Sequence, residues 1–119
     1  MFVERNATGE SNWMIVRIIH EYRGLDVRLT DERLAHILDH PEMVGIEAAI
    51  EETLKSPTLV IESLSDETAH LYYRFYSGTA IGDKFMCVVV KFKPDDAFVL
   101  TAYLTDHPKK GTVIWSGST

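Results

Sequence analysis

The chain has 119 residues and a mass of 13.5 kDa, which suits one domain able to bury a core without disulfides or metals and excludes a multidomain enzyme. Its content of 45% hydrophobic, 25% charged and 10% aromatic residues is that of a soluble globular protein, neither disordered nor fibrous. A net charge of −6 argues against tight nonspecific binding to a phosphate backbone.

Read in chain order, residues 1–12 form a loosely held terminus. This start has no basic segment followed by an apolar stretch and a small-residue cleavage site, so secretion by that route is not expected. Trp13–His20 and Leu25–Leu29 have strand character, and Arg23-Gly24 between them makes a turn, which predicts an N-terminal hairpin. At Thr30 the pattern changes to helical. Thr30 suits an N-cap, Asp31 and Glu32 favour the positive end of a helix, and Leu29 with Leu34 has the spacing of a hydrophobic staple. Leu34, Ile37 and Leu38 share one helix face, and Pro41 either stops that helix or opens a second in its first turn. The second carries Met43, Ile46, Ile50, Thr53 and Leu54 inward and ends near Ser56-Pro57, because the residue before a proline avoids helical geometry.

Beyond Pro57 the chain reads as strands at 58–64, 69–76, 85–92, 97–105 and 112–115, separated by turn-forming residues. Helices that precede a run of strands predict an α+β domain: short N-terminal helices packed on one face of a mainly antiparallel sheet of four to five strands. A single domain over residues 1–119 is expected. The longest strongly apolar run, Phe85–Val90, is strand-sized, so no membrane span is expected. The one cysteine, Cys87, sits among apolar neighbours as a buried thiol, and a reducing cytoplasm fits best.

Charge is unevenly placed. Residues 31–67 hold ten acids against Arg33 and Lys55, whereas residues 68–119 hold six bases against four acids. The acids suit a solvated helix surface, and the later strands make a locally basic sheet.

Alternation sorts these strands into two faces. Phe98, Leu100, Ala102 and Leu104, with Met86, Val88, Val90 and Phe92, are expected to face the helices. Val99, Thr101, Tyr103 and Thr105, with Phe85, Cys87, Val89 and Lys91, then lie opposite, provided that the Pro94-Asp95-Asp96 turn pairs Lys91 with Val99. His70, Tyr72, Arg74 and Tyr76 form a polar, aromatic and basic set on the next strand. Cations, hydroxyls and rings on one face can hold phosphates and stack bases. They equally make an ordinary half-solvated face with cross-strand aromatic pairs.

On the first helix Arg33, His36 and His40 form a cationic edge. His36 and His40 have the i, i+4 spacing of a zinc site but lack the HExxH glutamate and a third ligand motif, so no metal is expected. A histidine can also move protons in phosphodiester cleavage. His36 equally suits a structural role, and His40 a cap between helices. No phosphate-cradling glycine motif, dinucleotide fingerprint or nucleophile elbow occurs, so no cofactor is required.

The ordered words Glu32-Arg33-Leu34-Ala35-His36-Ile37, His40-Pro41-Glu42, Glu52-Thr53-Leu54, Tyr72-Tyr73-Arg74, Val88-Val89-Val90-Lys91, Thr101-Ala102-Tyr103 and Lys110-Gly111, then Ile114-Trp115, carry a resemblance. Over residues 25–115 the chain resembles the phage-associated branch of the Barnase-EndoU-Colicin-RelE-like nuclease superfamily. The resemblance implies a metal-independent ribonuclease, toxin-like, cleaving RNA by attack of a 2′-hydroxyl on the adjacent phosphate. It implies His36 as acid/base, Lys91 and Arg74 as stabilisers of the transition-state phosphate, and Thr101 and Tyr103 as phosphate or base contacts. Arg33, Tyr72, Tyr103 and Lys110 would contact substrate. RNA is the implied partner, with room for a protein inhibitor or a homodimer. The rival expectation is a noncatalytic binding or interaction domain on the same fold, since the acidic net charge departs from that of a free RNA-cleaving toxin.

Overall fold

The computed structural model describes residues 2–5 and 13–117, with side chains from Val16 onward. The chain runs through β1 (Phe2–Arg5), β2 (Trp13–His20), β3 (Asp26–Thr30), α1 (Asp31–Leu38), a 3₁₀ turn at Pro41–Met43 and α2 (Glu47–Lys55). There follow β4 (Leu59–Ser63), β5 (Ala69–Thr79), β6 (Gly82–Lys93), β7 (Asp96–Thr105) and β8 (Gly111–Ser116). The expected loose terminus is in part a strand: β1 pairs with β2, Phe2 opposite Val16. Residues 6–12 lie outside the described residues.

Local signals account for the helices. Thr30 is the N-cap of α1, and its hydroxyl accepts a hydrogen bond from the Arg33 backbone N–H at 3.1 Å, relieving one of the free donors of the first turn. Pro41 opens the short 3₁₀ turn, and Gly45, with φ of +87°, lets the chain leave it before α2 starts, a backbone angle disfavoured for residues with a Cβ. The expected single second helix is thus broken in two. Of its expected inward residues, Met43, Ile50, Thr53 and Leu54 are buried and Ile46 is partly buried.

The sheet corrects the expected architecture. One sheet of eight strands in the order β1-β2-β3-β7-β6-β5-β4-β8 replaces four or five. It is mixed, because β3 lies parallel to β7, Arg28 opposite Phe98, while the other pairs are antiparallel. Nor do the helices begin the fold, since three strands come before them. The physical reason is connectivity. The N-terminal hairpin extends the main sheet through β3, and the helical segment crosses one face of the sheet to enter at β4.

A second crossing covers part of the other face. β7 and β8 are separated in the sheet by β6, β5 and β4, so residues 106–110 pass over that face as a strap, with the Lys109 backbone N–H donating to the Tyr73 hydroxyl at 3.0 Å. The sheet therefore has two apolar layers. On the helix face Ile37, Met43, Ile50 and Leu54 pack with Val27, Leu29, Tyr72, Met86, Val88 and Val90. On the strap face Ile61, Leu71, Tyr73, Cys87 and Val89 form a smaller layer.

Candidate functional site

The strap face carries a collection of mixed polar and apolar chemistry. A cleft of about 510 Å³ lies where the β4–β5 loop faces the end of the strap, within the roughly 300–1,000 Å³ usual for small-molecule sites. Its floor is Ile61, Ala69, Leu71 and Val89, its wall Leu64 and Leu100, and its polar rim Ser63, Ser65, Asp66, Lys109 and Lys110.

A β-bulge shapes that wall. In β6 and β7 the register runs Val89 opposite Thr101 and then Val90 opposite Val99, leaving Leu100 without a partner. The extra residue changes the parity of β7 on one side of the bulge. Ala102 and Leu104 meet the helix-face core as expected, but upstream Ala97 and Val99 take over that role, and Leu100 borders the strap-face cleft. Lys91 stands opposite Phe98, not Val99.

Asp66 is the cleft's carboxylate, and it is already occupied. The Lys91 ammonium donates to Oδ2, while the Thr68 backbone N–H and hydroxyl donate to Oδ1. The Lys91 hydrogen bond, more than the two from Thr68, holds its carboxyl at about 2, because all three donors favour the charged form. Behind the cleft Tyr73 and Tyr103 flank Cys87. Burial pushes both phenols well above their ordinary range and pushes the Cys87 thiol up to about 11, so none of the three is an ionised nucleophile near neutrality. The Lys109 ammonium lies 6.0 Å from the centre of the Tyr103 ring.

The structure separates the eight expected site residues into three places. Lys91, Thr101, Tyr103 and Lys110 belong to the strap side: Lys91 is opposite Ala69, Thr101 opposite Val89, Tyr103 opposite Cys87, and Lys110 borders the cleft. Tyr72 and Arg74 are on the helix face, opposite Val88 and Met86. Tyr72 is fully buried, and its hydroxyl donates to Glu21 at 2.9 Å. Arg74 donates to the Ser56 carbonyl at 2.7 Å and lies 3.4 Å from Glu52. His36 and Arg33 sit on α1, with His36 exposed beside buried Ile37. The expected association of Tyr72 and Arg74 with Lys91 is thereby corrected: the sheet lies between them.

His40 is exposed, with Nδ1 3.8 Å from Glu42 and no side-chain capping bond. Among the described residues no three His, Cys, Asp or Glu side chains gather into a metal-binding group, and no helix is long and apolar enough to cross a membrane. Sequence reasoning missed Leu64, Leu100, Asp66 and Lys109 as site residues. Only the dilysine before Gly111 was visible as a signal, and it reads equally well as a turn. Comparison of the chain with protein-family models, curated proteins and solved structures found no match.

Proposed function

We propose that this chain is a noncatalytic binding domain that takes its ligand on the strap face. The observation that carries the reading is the separation of His36 from Lys91: the imidazole stands exposed on a helix covering one face of the sheet, and the ammonium is held by Asp66 on the other. Phosphodiester transfer needs the proton carrier within hydrogen-bond reach of the reacting oxygen and the cation beside the same phosphate. That geometry favours binding over the ribonuclease reading. The cleft instead offers an apolar floor with a few polar groups at its rim, the usual composition of a recognition site.

The test is incubation of the purified protein with mixed RNAs in excess chelator, beside His36→Ala and Lys91→Ala variants. The reading predicts no cleavage by any preparation. Cleavage by the unaltered protein that either substitution abolishes would overturn it and restore 2′-hydroxyl transesterification as the function.

A further inference from the structure

The cleft has a distinct pattern of charge. Lys109 and Lys110 reach its rim, and neither has a carboxylate within ion-pair distance among the described residues. The one carboxylate at that rim, Asp66, is paired with Lys91. The rim is therefore locally cationic in a protein whose net charge is −6, and an anion placed there meets two lysines without a carboxylate partner beside one acid that Lys91 already pairs.

Beneath the rim the surface is apolar. Leu64 is 75% exposed and Leu100 37% exposed, and a bulge breaks the β7 register where Leu100 borders the cleft. Bulges occur preferentially beside functional sites, where they re-aim a side chain. An apolar body lying on Leu71, Val89 and Leu100 would leave water while its charged end stays at the lysines.

We propose that the strap-face cleft binds a small amphipathic carboxylate, an aliphatic chain of medium length whose head is held by Lys109 and Lys110 and whose tail lies on Leu71, Val89 and Leu100. The inference rests on the noncatalytic binding reading and names its ligand class. A free carboxylate is preferred to a peptide terminus because the cleft offers two cations and an apolar floor, whereas a peptide would also ask for partners for its amides.

The experiment is a methyl and amide NMR titration of the full chain with octanoate, hexanoate, octylammonium, acetate and a tetrapeptide ending in leucine. Octanoate is expected to shift Leu71, Val89 and Leu100 saturably, about threefold to fourfold more tightly than hexanoate for each added methylene. Acetate and octylammonium are expected to bind at least about tenfold more weakly, and a Lys109→Gln/Lys110→Gln variant to lose about tenfold for octanoate. Leu100→Asp, at a solvent-facing position, should remove binding while leaving the fold's spectrum intact. Equal binding of octylammonium, an unaffected double variant, shifts confined to other surfaces or no saturable binding would each overturn the proposal. Tighter binding of the peptide would overturn the choice of occupant, as would line broadening that follows protein concentration alone, which would make a second copy the occupant. RNA cleavage would remove the noncatalytic reading but leave the octanoate result intact, whereas failed octanoate binding without RNA cleavage would remove only this ligand class.

Discussion

The Tyr72 hydroxyl donates to the Glu21 carboxylate at 2.9 Å, both side chains shut away from water beneath the β2–β3 turn. Glu21 also accepts from the backbone N–H groups of Arg23 at 2.6 Å and Leu25 at 3.2 Å, and from the Arg23 Nε at 3.1 Å. Four donors satisfy a carboxylate that would otherwise be expensive to bury. The contact ties the N-terminal hairpin to the centre of the sheet, and it commits Tyr72, an expected RNA contact, to the interior.

Removing one partner should therefore unfold the protein sooner. Tyr72→Phe is expected to cost about 1–2 kcal/mol and Glu21→Ala roughly 2–4 kcal/mol, since the alanine also leaves the phenol without an acceptor. Urea unfolding with unchanged m checks both. Burial, then the neighbouring Glu21 charge and hydrogen bond, raise the Tyr72 phenol far above its ordinary range, so its alkaline titration should appear only with unfolding.

The Lys91–Asp66 pair gives the fold a dependence on acid. A carboxyl held at about 2 and near 4 when unfolded stabilises the folded state above about pH 4, and that contribution is lost as the pH falls toward the folded value. Stability measured between pH 5 and pH 2 should therefore decline less steeply in Asp66→Asn than in the unaltered protein. Carboxyl carbon shifts should place the Asp66 midpoint well below those of unpaired aspartates; a midpoint near 4 would contradict the pairing.

Gly111, where the strap becomes β8, has no room for a side chain. A Cβ built there would lie 2.4 Å from the Glu62 carbonyl oxygen, a backbone atom that cannot swing aside. Gly111→Ala should push β8 from β4 and cost about 1–3 kcal/mol, with faster hydrogen exchange at their shared amides.

Cys87 should be chemically quiet. The thiol is buried, and desolvation pushes it up to about 11, leaving little thiolate at neutral pH. An aromatic disulfide reagent should modify it only as fast as the protein opens, and denaturant should raise that rate steeply. Immediate modification of the folded protein would contradict the buried placement.

Much of the local structure was legible in the residues. Thr30 with Asp31 and Glu32 specified the start of α1, and Ser65-Asp66-Glu67 separates β4 from β5 where expected, whereas Ser77-Gly78 and Gly82-Asp83 lie inside β5 and β6, which are joined at Ala80-Ile81. Three features were not legible. In β5 one alternating set is Ala69, Leu71, Tyr73 and Phe75 and the other is His70, Tyr72, Arg74 and Tyr76. Helices cover one side of this strand and the strap partly covers the other, so both sets are rich in large rings and alternation does not separate inside from outside. In β7 the bulge at Leu100 reverses the parity that a regular strand would keep. The parallel β3–β7 contact joins residues 70 apart in the chain, and no local pattern encodes it. Half of the candidate site depended on those features: Lys91, Thr101, Tyr103 and Lys110 share a side, while Arg74, Tyr72, Arg33 and His36 belong elsewhere.

The sheet stands between the α1 imidazole and the β6 ammonium. Intramolecular cross-linking measures this directly, with a short bis-maleimide applied to paired cysteines in a Cys87→Ala background. Asp66→Cys with Lys91→Cys, replacing the ion pair, should bridge readily, and His36→Cys with Lys91→Cys should give only singly modified chains. An efficient internal bridge between positions 36 and 91 in the folded monomer would contradict the account.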